Sequence, residues 1–354
     1  MDTIYPAVGR RCTRARAALG RTRPTASLEY LRGHGTRRNA APKRMRTMII
    51  LGTALLSLLT AFPLSAQQTP SLPYDQKMDV VFGEVHGTGL LMDVFRPKGK
   101  GNGLGIIDVV SGAWYSDRRK IGDHILAQVY STFCSRGYTV FAIRPGSRTR
   151  YTAAEMAANV KTGIRYVKQH AADYKVDPER LGLTGASAGG HLAALVAVTP
   201  EAASPDVNSS LRYDTHVKAA AIFFPPTDFL DWDGKPANFN TLGSLLFLGG
   251  TNGHSEMEIK ERAREISPAR QVKAPTVPFL FIHGDADPLV PLQQSEKMVA
   301  AVKAVGGSAE LIVKKGGGHP WLTIPEEVKI MADWFDQHLT DAKPGSAANQ
   351  PQSP

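Results

Sequence analysis

Apolar positions along the chain follow two rhythms, and the change from one to the other outlines the architecture. Residues 78–82 (MDVVF) and 90–95 (LLMDVF) are short, alternating and β-branched, separated by Gly87 and Gly89, and they predict an antiparallel hairpin. Residues 104–110 (LGIIDVV) form a run that is apolar but for Asp108, the pattern of a strand buried on both faces. Runs at 138–143, 180–184, 217–224, 278–282 and 309–314 also read as strands. Between them, segments of helical period predict helices over 120–135, 153–174, 189–198, 292–305 and 325–339. Strands alternating with helices of about 10 to 20 residues predict the α/β class, with a mostly parallel central sheet and helices on both faces. The alternation breaks over 227–269, which holds Trp232, Pro236, an apolar run at 242–248 and a charged helix around 256–265. This stretch reads as a small cap insertion over the C-terminal edge of the sheet.

Charge changes the picture only at the N-terminus. Residues 1–47 hold twelve Lys or Arg against Asp2 and Glu29, a balance of +10 that equals the net charge of the whole 354-residue chain. The rest carries 30 basic and 30 acidic residues (42 less 12, 32 less 2), so the basic balance describes a leader and gives no reason to expect a nucleic-acid partner. Lys43, Arg44 and Arg46 precede the uncharged apolar run 48–64, and Ser65-Ala66-Gln67-Gln68 follows it. These are the parts of a secretory signal peptide with cleavage after Ala66; a retained anchor is the alternative, because the run approaches the length of a membrane span. The expectation is an exported protein, periplasmic or extracellular, with no stable membrane insertion after cleavage. Residues 1–44 are too long for an ordinary n-region, which points to a translation start at Met45 or Met48; a transit peptide or a twin-arginine signal at Arg37-Arg38 are the other readings. A Pro/Gly/Ser/Ala/Gln tail over 342–354 cannot bury a core, so the folded domain is expected over 67–341. Beyond the leader Cys134 is the only cysteine, and its neighbours Phe133 and Tyr138 place it as a buried, inert thiol.

The chemistry concentrates in three loops. Gly185-Ala-Ser187-Ala-Gly189 lies between the apolar strand 181–184 and a helix of small residues, which is the context of a nucleophile elbow. Glycines flank the serine there because a Cβ would collide with the neighbouring strand or helix. The turn lifts the Ser187 hydroxyl above the sheet and leaves the Ala188 N–H at a helix start, aimed at developing negative charge. A serine needs a base, and the base a partner that fixes its tautomer. The strand 278–282 runs into His283-Gly-Asp285-Ala-Asp287-Pro288, and the strand 309–314 runs into Gly316-Gly-Gly-His319. His319, presented after three glycines, is the candidate base. Asp287 is preferred to Asp285 as the acid because it lies farther from the strand and is held by Pro288; Asp285 is expected to bond loop amides. His283 is read as support for the acid loop and His191 as a cap on the elbow. The loop after 104–110, Ser111-Gly112-Ala113-Trp114-Tyr115, is expected to supply the second oxyanion donor from Gly112 or Ala113. Trp114 and Tyr115 would wall the substrate pocket, with packing under the cap as their alternative role. Arg144, at the end of the next strand, faces this region by topology and would hold either the loop or a substrate. Zinc patterns of the H-E-x-x-H or C-x-x-C type, a P-loop and a dinucleotide fingerprint are all missing, and no cofactor or metal is expected.

The segments DPERLGLTGASAGGHLA (177–193), HGDADPLVP (283–291) and GGGHP (316–320) resemble the esterase/lipase branch of the α/β-hydrolase superfamily, particularly the BD-FAE-like carboxylesterases related to acetylxylan and feruloyl esterases. The likeness spans residues 76–340 or so. It implies the α/β-hydrolase fold, with Ser187, Asp287 and His319 as nucleophile, acid and base, acting on short acyl esters of small molecules or polysaccharides. The chain departs from the family where relatives carry His-Gly-Gly-Gly-Trp, having Val110-Ser-Gly-Ala-Trp114 instead. The resemblance also reaches prolyl-oligopeptidase-like peptidases, although no acidic pair is placed to grip an N-terminal amine. A non-catalytic binding protein of the same fold is the remaining reading, and the intact Ser, Asp and His in chain order argue against it.

Overall fold

The computed structural model describes residues 71–204 and 209–340; the expected leader, signal segment and tail lie outside the described residues. The chain enters through a hairpin, β1 (Tyr74–Val85) and β2 (Thr88–Pro97), turned at His86-Gly87. There follow β3 (Gly105–Val109), α1 (Arg119–Leu126), α2 (Val129–Ser135), β4 (Thr139–Arg144), α3 (Ala153–Gln169), α4 (Ala171–Tyr174), β5 (Leu181–Ala186), α5 (Ala188–Val198) and β6 (Ala219–Phe223). The insertion carries α6 (Phe239–Leu242) and α7 (Glu256–Glu265), and β7 (Phe279–Gly284), α8 (Gln293–Ala304), β8 (Ala309–Lys314) and α9 (Ile324–Leu339) complete the domain. Eight strands form one sheet in the order β1-β2-β4-β3-β5-β6-β7-β8. Only the β1–β2 and β2–β4 pairings are antiparallel.

Every residue of β3 and β6 is buried; β6 is apolar throughout, and β3 is apolar apart from Asp108, whose carboxylate accepts from the Tyr130 hydroxyl at 3.0 Å and lies 2.7 Å from His124 Nδ1. Helices α3, α5 and α8 cover one face through Met156, Val160, Ile164, Leu192, Met298 and Val302. Helices α1, α2 and α9 cover the other through Ile121, Tyr130, Phe133, Met331 and Phe335. Each such side chain contributes about 1.5–3 kcal/mol when fully buried. Two expected helices are interrupted. The segment 120–135 breaks at Gln128, which is left-handed (φ 61°) and divides α1 from α2. The segment 153–174 breaks at His170, after which Tyr174 turns in to meet Phe141 edge-on at 5.0 Å. Neither break contains glycine or proline, so no local signal announces it.

Within the insertion, Phe229 packs on His191 (5.0 Å between ring centres). The Arg148 guanidinium, which follows β4, donates to Ser244 Oγ at 2.9 Å and to the carbonyl of Thr241. These contacts seat 227–269 beside the C-terminal ends of the parallel strands. Because β3, β5, β7 and β8 all run the same way, the loops after them emerge on one edge of the sheet, where α/β folds place their ligands. Among the described residues no helix is long and apolar enough to cross a membrane.

Candidate active site

The elbow after β5 is built by close approach. A Cβ on Gly185 would stand 2.6 Å from the backbone of Gly189, and one on Gly189 would stand 2.1 Å from the carbonyl oxygen of Val109. Ser187 itself adopts φ 54°, ψ −120°, a conformation that costs a non-glycine residue on the order of 1–3 kcal/mol and persists only when its surroundings hold it. They do so through Ser187 N–H to the carbonyl of Phe223 (3.0 Å), and through Gly189 N–H to the carbonyl of Ser111 (2.9 Å). The second bond ties the elbow to the loop after β3.

The acid and base loops are pressed together where Gly284 meets Gly317. A Cβ on Gly284 would stand 2.1 Å from the Gly317 carbonyl oxygen. Across this contact His319 Nδ1 lies 2.6 Å from Asp287 Oδ2, and His319 Nε2 lies 2.8 Å from Ser187 Oγ. Ser187, His319 and Asp287, more than 130 residues apart at the extremes of the first link, therefore form one continuous hydrogen-bonded line. The Asp287 side chain is fully enclosed, and its Oδ1 accepts from the N–H groups of Leu289 (2.8 Å) and Val290 (2.9 Å). Burial raises its pKa, but hydrogen bonds from His283, His319 and these two amides outweigh it and hold the carboxyl well below the usual carboxylate range. An ionised Asp287 accepts from His319 Nδ1–H, which leaves Nε2 as the acceptor for the Ser187 hydroxyl. Asp285 turns away and accepts from the Gly316 N–H at 2.6 Å, so the two carboxylates divide as their positions in the loop predict. His283 is fully buried, with Nε2 2.9 Å from the carbonyl of Val290 and 3.4 Å from Asp287 Oδ2, and with Nδ1 2.7 Å from Ser295 Oγ.

The loop after β3 corrects two expectations. Gly112 and Tyr115 exchange N–H···O bonds at 2.9 Å in both directions, so the Gly112 N–H is spent inside the turn and is not a free oxyanion donor. The missing Cβ serves another end: it would meet the Lys120 side chain at 2.9 Å. The N–H groups of Ala113 and Ala188 have no hydrogen-bond partner among the described residues. Trp114 does not wall an open pocket. It is 6 % exposed, its indole N–H donates to His191 Nδ1 at 3.0 Å, and its ring packs on His191 and Phe229. Tyr115, on the same turn, is 41 % exposed. Arg144 pairs with Asp79 and lies 3.7 Å from buried Asp93, so it fastens the entry hairpin. Sequence reasoning did not single out Phe224, whose ring centre lies 4.4 Å from that of His319 and packs against the base. Its only sequence signal is a position at the end of a predicted strand. No group of His, Cys, Asp and Glu able to hold a metal occurs among the described residues.

A hydroxyl, an imidazole and an ionised carboxylate in line, beside unpartnered backbone N–H groups, can generate a nucleophile and bind the oxyanion it produces. The BD-FAE family model matches residues 92–302. A probable carboxylic ester hydrolase, LipM of Mycobacterium tuberculosis, is 28 % identical over 238 residues, covering 66 % of this chain and 53 % of that protein. Esterase LipQ of the same organism is 27 % identical over 248 residues, covering 69 % and 54 %. The chain thus spans about half the length of these curated relatives. Among solved structures, a truncated carbohydrate esterase from gut microbiota superposes with a TM-score of 0.65 at 25 % identity, covering 76 % of this chain and 98 % of that one.

Proposed function

The chain belongs to the BD-FAE family of α/β-hydrolase esterases, and from that premise we propose that it is a serine carboxylic-ester hydrolase acting on short acyl esters, in particular acetyl or related esters on carbohydrates. The observation that carries the proposal is His319 bonded at once to Ser187 and Asp287, the geometry of a base poised on a nucleophile. In the proposed reaction Ser187 Oγ bonds to the ester carbonyl carbon while its proton passes to His319 Nε2. Asp287 keeps the imidazole in the Nδ1–H form and stabilises the imidazolium. The N–H groups of Ala188 and Ala113 receive the oxyanion. Collapse of the tetrahedral intermediate breaks the bond to the alcohol, which leaves with the proton from His319. Water then attacks the acyl-serine with His319 again as base, and the carboxylic acid departs.

The carbohydrate part rests on the likeness to a structure described as a carbohydrate esterase. Export rests on the basic flank, apolar run and small residues around 43–68. The test is hydrolysis of p-nitrophenyl acetate, butyrate and octanoate by the wild type and Ser187→Ala, with acetate release from acetylated xylan in parallel. The expected result is fastest turnover of acetate, measurable release from xylan, and a loss of about 10⁴-fold or more in the variant. A Ser187→Ala protein as active as the wild type would sink the mechanism; an active enzyme that spares xylan would sink the carbohydrate reading alone.

A further inference from the structure

The second oxyanion donor sits in an unfavourable turn. Ala113 (φ 49°) and Trp114 (φ 60°) are consecutive left-handed residues, closed by the reciprocal Gly112–Tyr115 hydrogen bonds. A turn of this mirror-image type favours glycine and asparagine at both central positions. Here alanine and tryptophan occupy them, so something outside the turn must hold it. The contact is visible. Trp114 Nε1, which can only donate, bonds to His191 Nδ1 at 3.0 Å. That fixes the proton of His191 on Nε2, which donates to the carbonyl of Ile266 at 2.7 Å. His191 is fully buried, and burial pushes its pKa down to about 4, so the neutral form needed for both bonds is the one present. His191 lies one turn into α5, its own N–H bonded to the carbonyl of Ser187 at 2.8 Å, and Ile266 lies in the insertion. The Trp114 carbonyl in turn accepts from the Arg148 N–H at 2.8 Å, and the Arg148 side chain reaches the insertion again.

We propose that Trp114 and His191 are positioning residues that clamp the Ala113 N–H onto the oxyanion, and that the insertion completes the clamp through the Ile266 carbonyl. The proposal rests on the hydrolase reading above. The clamp touches no reacting atom; it acts by holding a strained donor loop against the elbow helix. Its loss therefore weakens the transition state more than the bound ester.

The experiment uses the full chain with Trp114→Phe, which keeps a ring and removes the N–H, and the pair His191→Gln and His191→Phe. Glutamine can accept from Trp114 and donate to Ile266; phenylalanine can do neither. For Trp114→Phe the expected result is a fall in kcat on p-nitrophenyl acetate of about 10- to 100-fold with KM within about twofold. The affinity for a trifluoromethyl ketone, which mimics the tetrahedral adduct, falls by the same factor. His191→Gln is expected to retain at least about ten times the kcat of His191→Phe. The clamp is overturned if Trp114→Phe keeps both kcat and inhibitor affinity, if its loss lies in KM alone, or if the two His191 variants lose alike. A wild type that Ser187→Ala does not impair overturns the hydrolase reading instead, and the two failures are read from different proteins.

Discussion

Adding one methyl group to Gly284 separates the loop carrying Asp287 from the loop carrying His319 without touching either side chain. The Cβ of Gly284→Ala would stand 2.1 Å from the Gly317 carbonyl oxygen and 2.4 Å from its carbon, against a working limit of 3.0 Å. Backbone on both sides leaves nothing soft to yield, so the loops must part by about 0.9 Å. The same displacement carried into the Asp287–His319 hydrogen bond stretches it from 2.6 Å to about 3.5 Å, the edge of bonding. A misplacement of about 1 Å costs on the order of 10² in rate, or about 2.7 kcal/mol of transition-state stabilisation. The assay is kcat/KM on p-nitrophenyl acetate beside the thermal midpoint by circular dichroism. Gly316→Ala is the control: nothing stands within 4 Å of its added Cβ, and its φ of 68° adds only strain of about 1 kcal/mol. It is expected to lose less than about tenfold. If Gly284→Ala folds and retains kcat/KM within threefold of the wild type, the idea that this contact sets the register of acid and base is wrong.

Asp287→Asn keeps the shape of the acid but offers His319 an amide, which favours the wrong tautomer; kcat should fall by about 10³- to 10⁴-fold, measured under saturating ester. The same residue governs acid stability. Its carboxyl is depressed in the folded state, so its stabilising contribution is present above the unfolded value of 3.8 and is lost as pH falls below it toward the folded pKa. The gap in thermal midpoint between the wild type and Asp287→Asn should therefore narrow as pH is lowered from 5 to about 3, and a gap that widens would reverse the sign of the argument. Cys134 is buried, its thiol lies 3.7 Å from the carbonyl of Phe95, and burial pushes its pKa up to about 12. It should resist Ellman's reagent in the native protein and react in urea, with Cys134→Ser as the blank; rapid native labelling would contradict the packing.

Strand order, the hairpin, the elbow and Ser187, Asp287 and His319 as the candidate triad are legible in the chain, because each is encoded within a window of a few residues. Apolar period separates buried strands from helices, small residues around Ser187 announce a turn without room for a Cβ, and Asp285 and Asp287 differ visibly in distance from their strand. What tertiary structure alone decided are matters of direction and pairing. Whether Trp114 points outward or inward depends on His191, 77 residues away, and the proton position on His191 depends on Ile266, 75 residues farther on. The Gly112 N–H is spent inside a turn whose handedness Ala113 and Trp114 would not choose for themselves. The breaks at Gln128 and His170 carry no glycine or proline to mark them. Periodicity records how deeply a residue is buried; only packing between distant segments selects which hydrogen bond a buried polar atom makes, since every unmade bond there costs about 1–3 kcal/mol and the partner can come from anywhere in the fold.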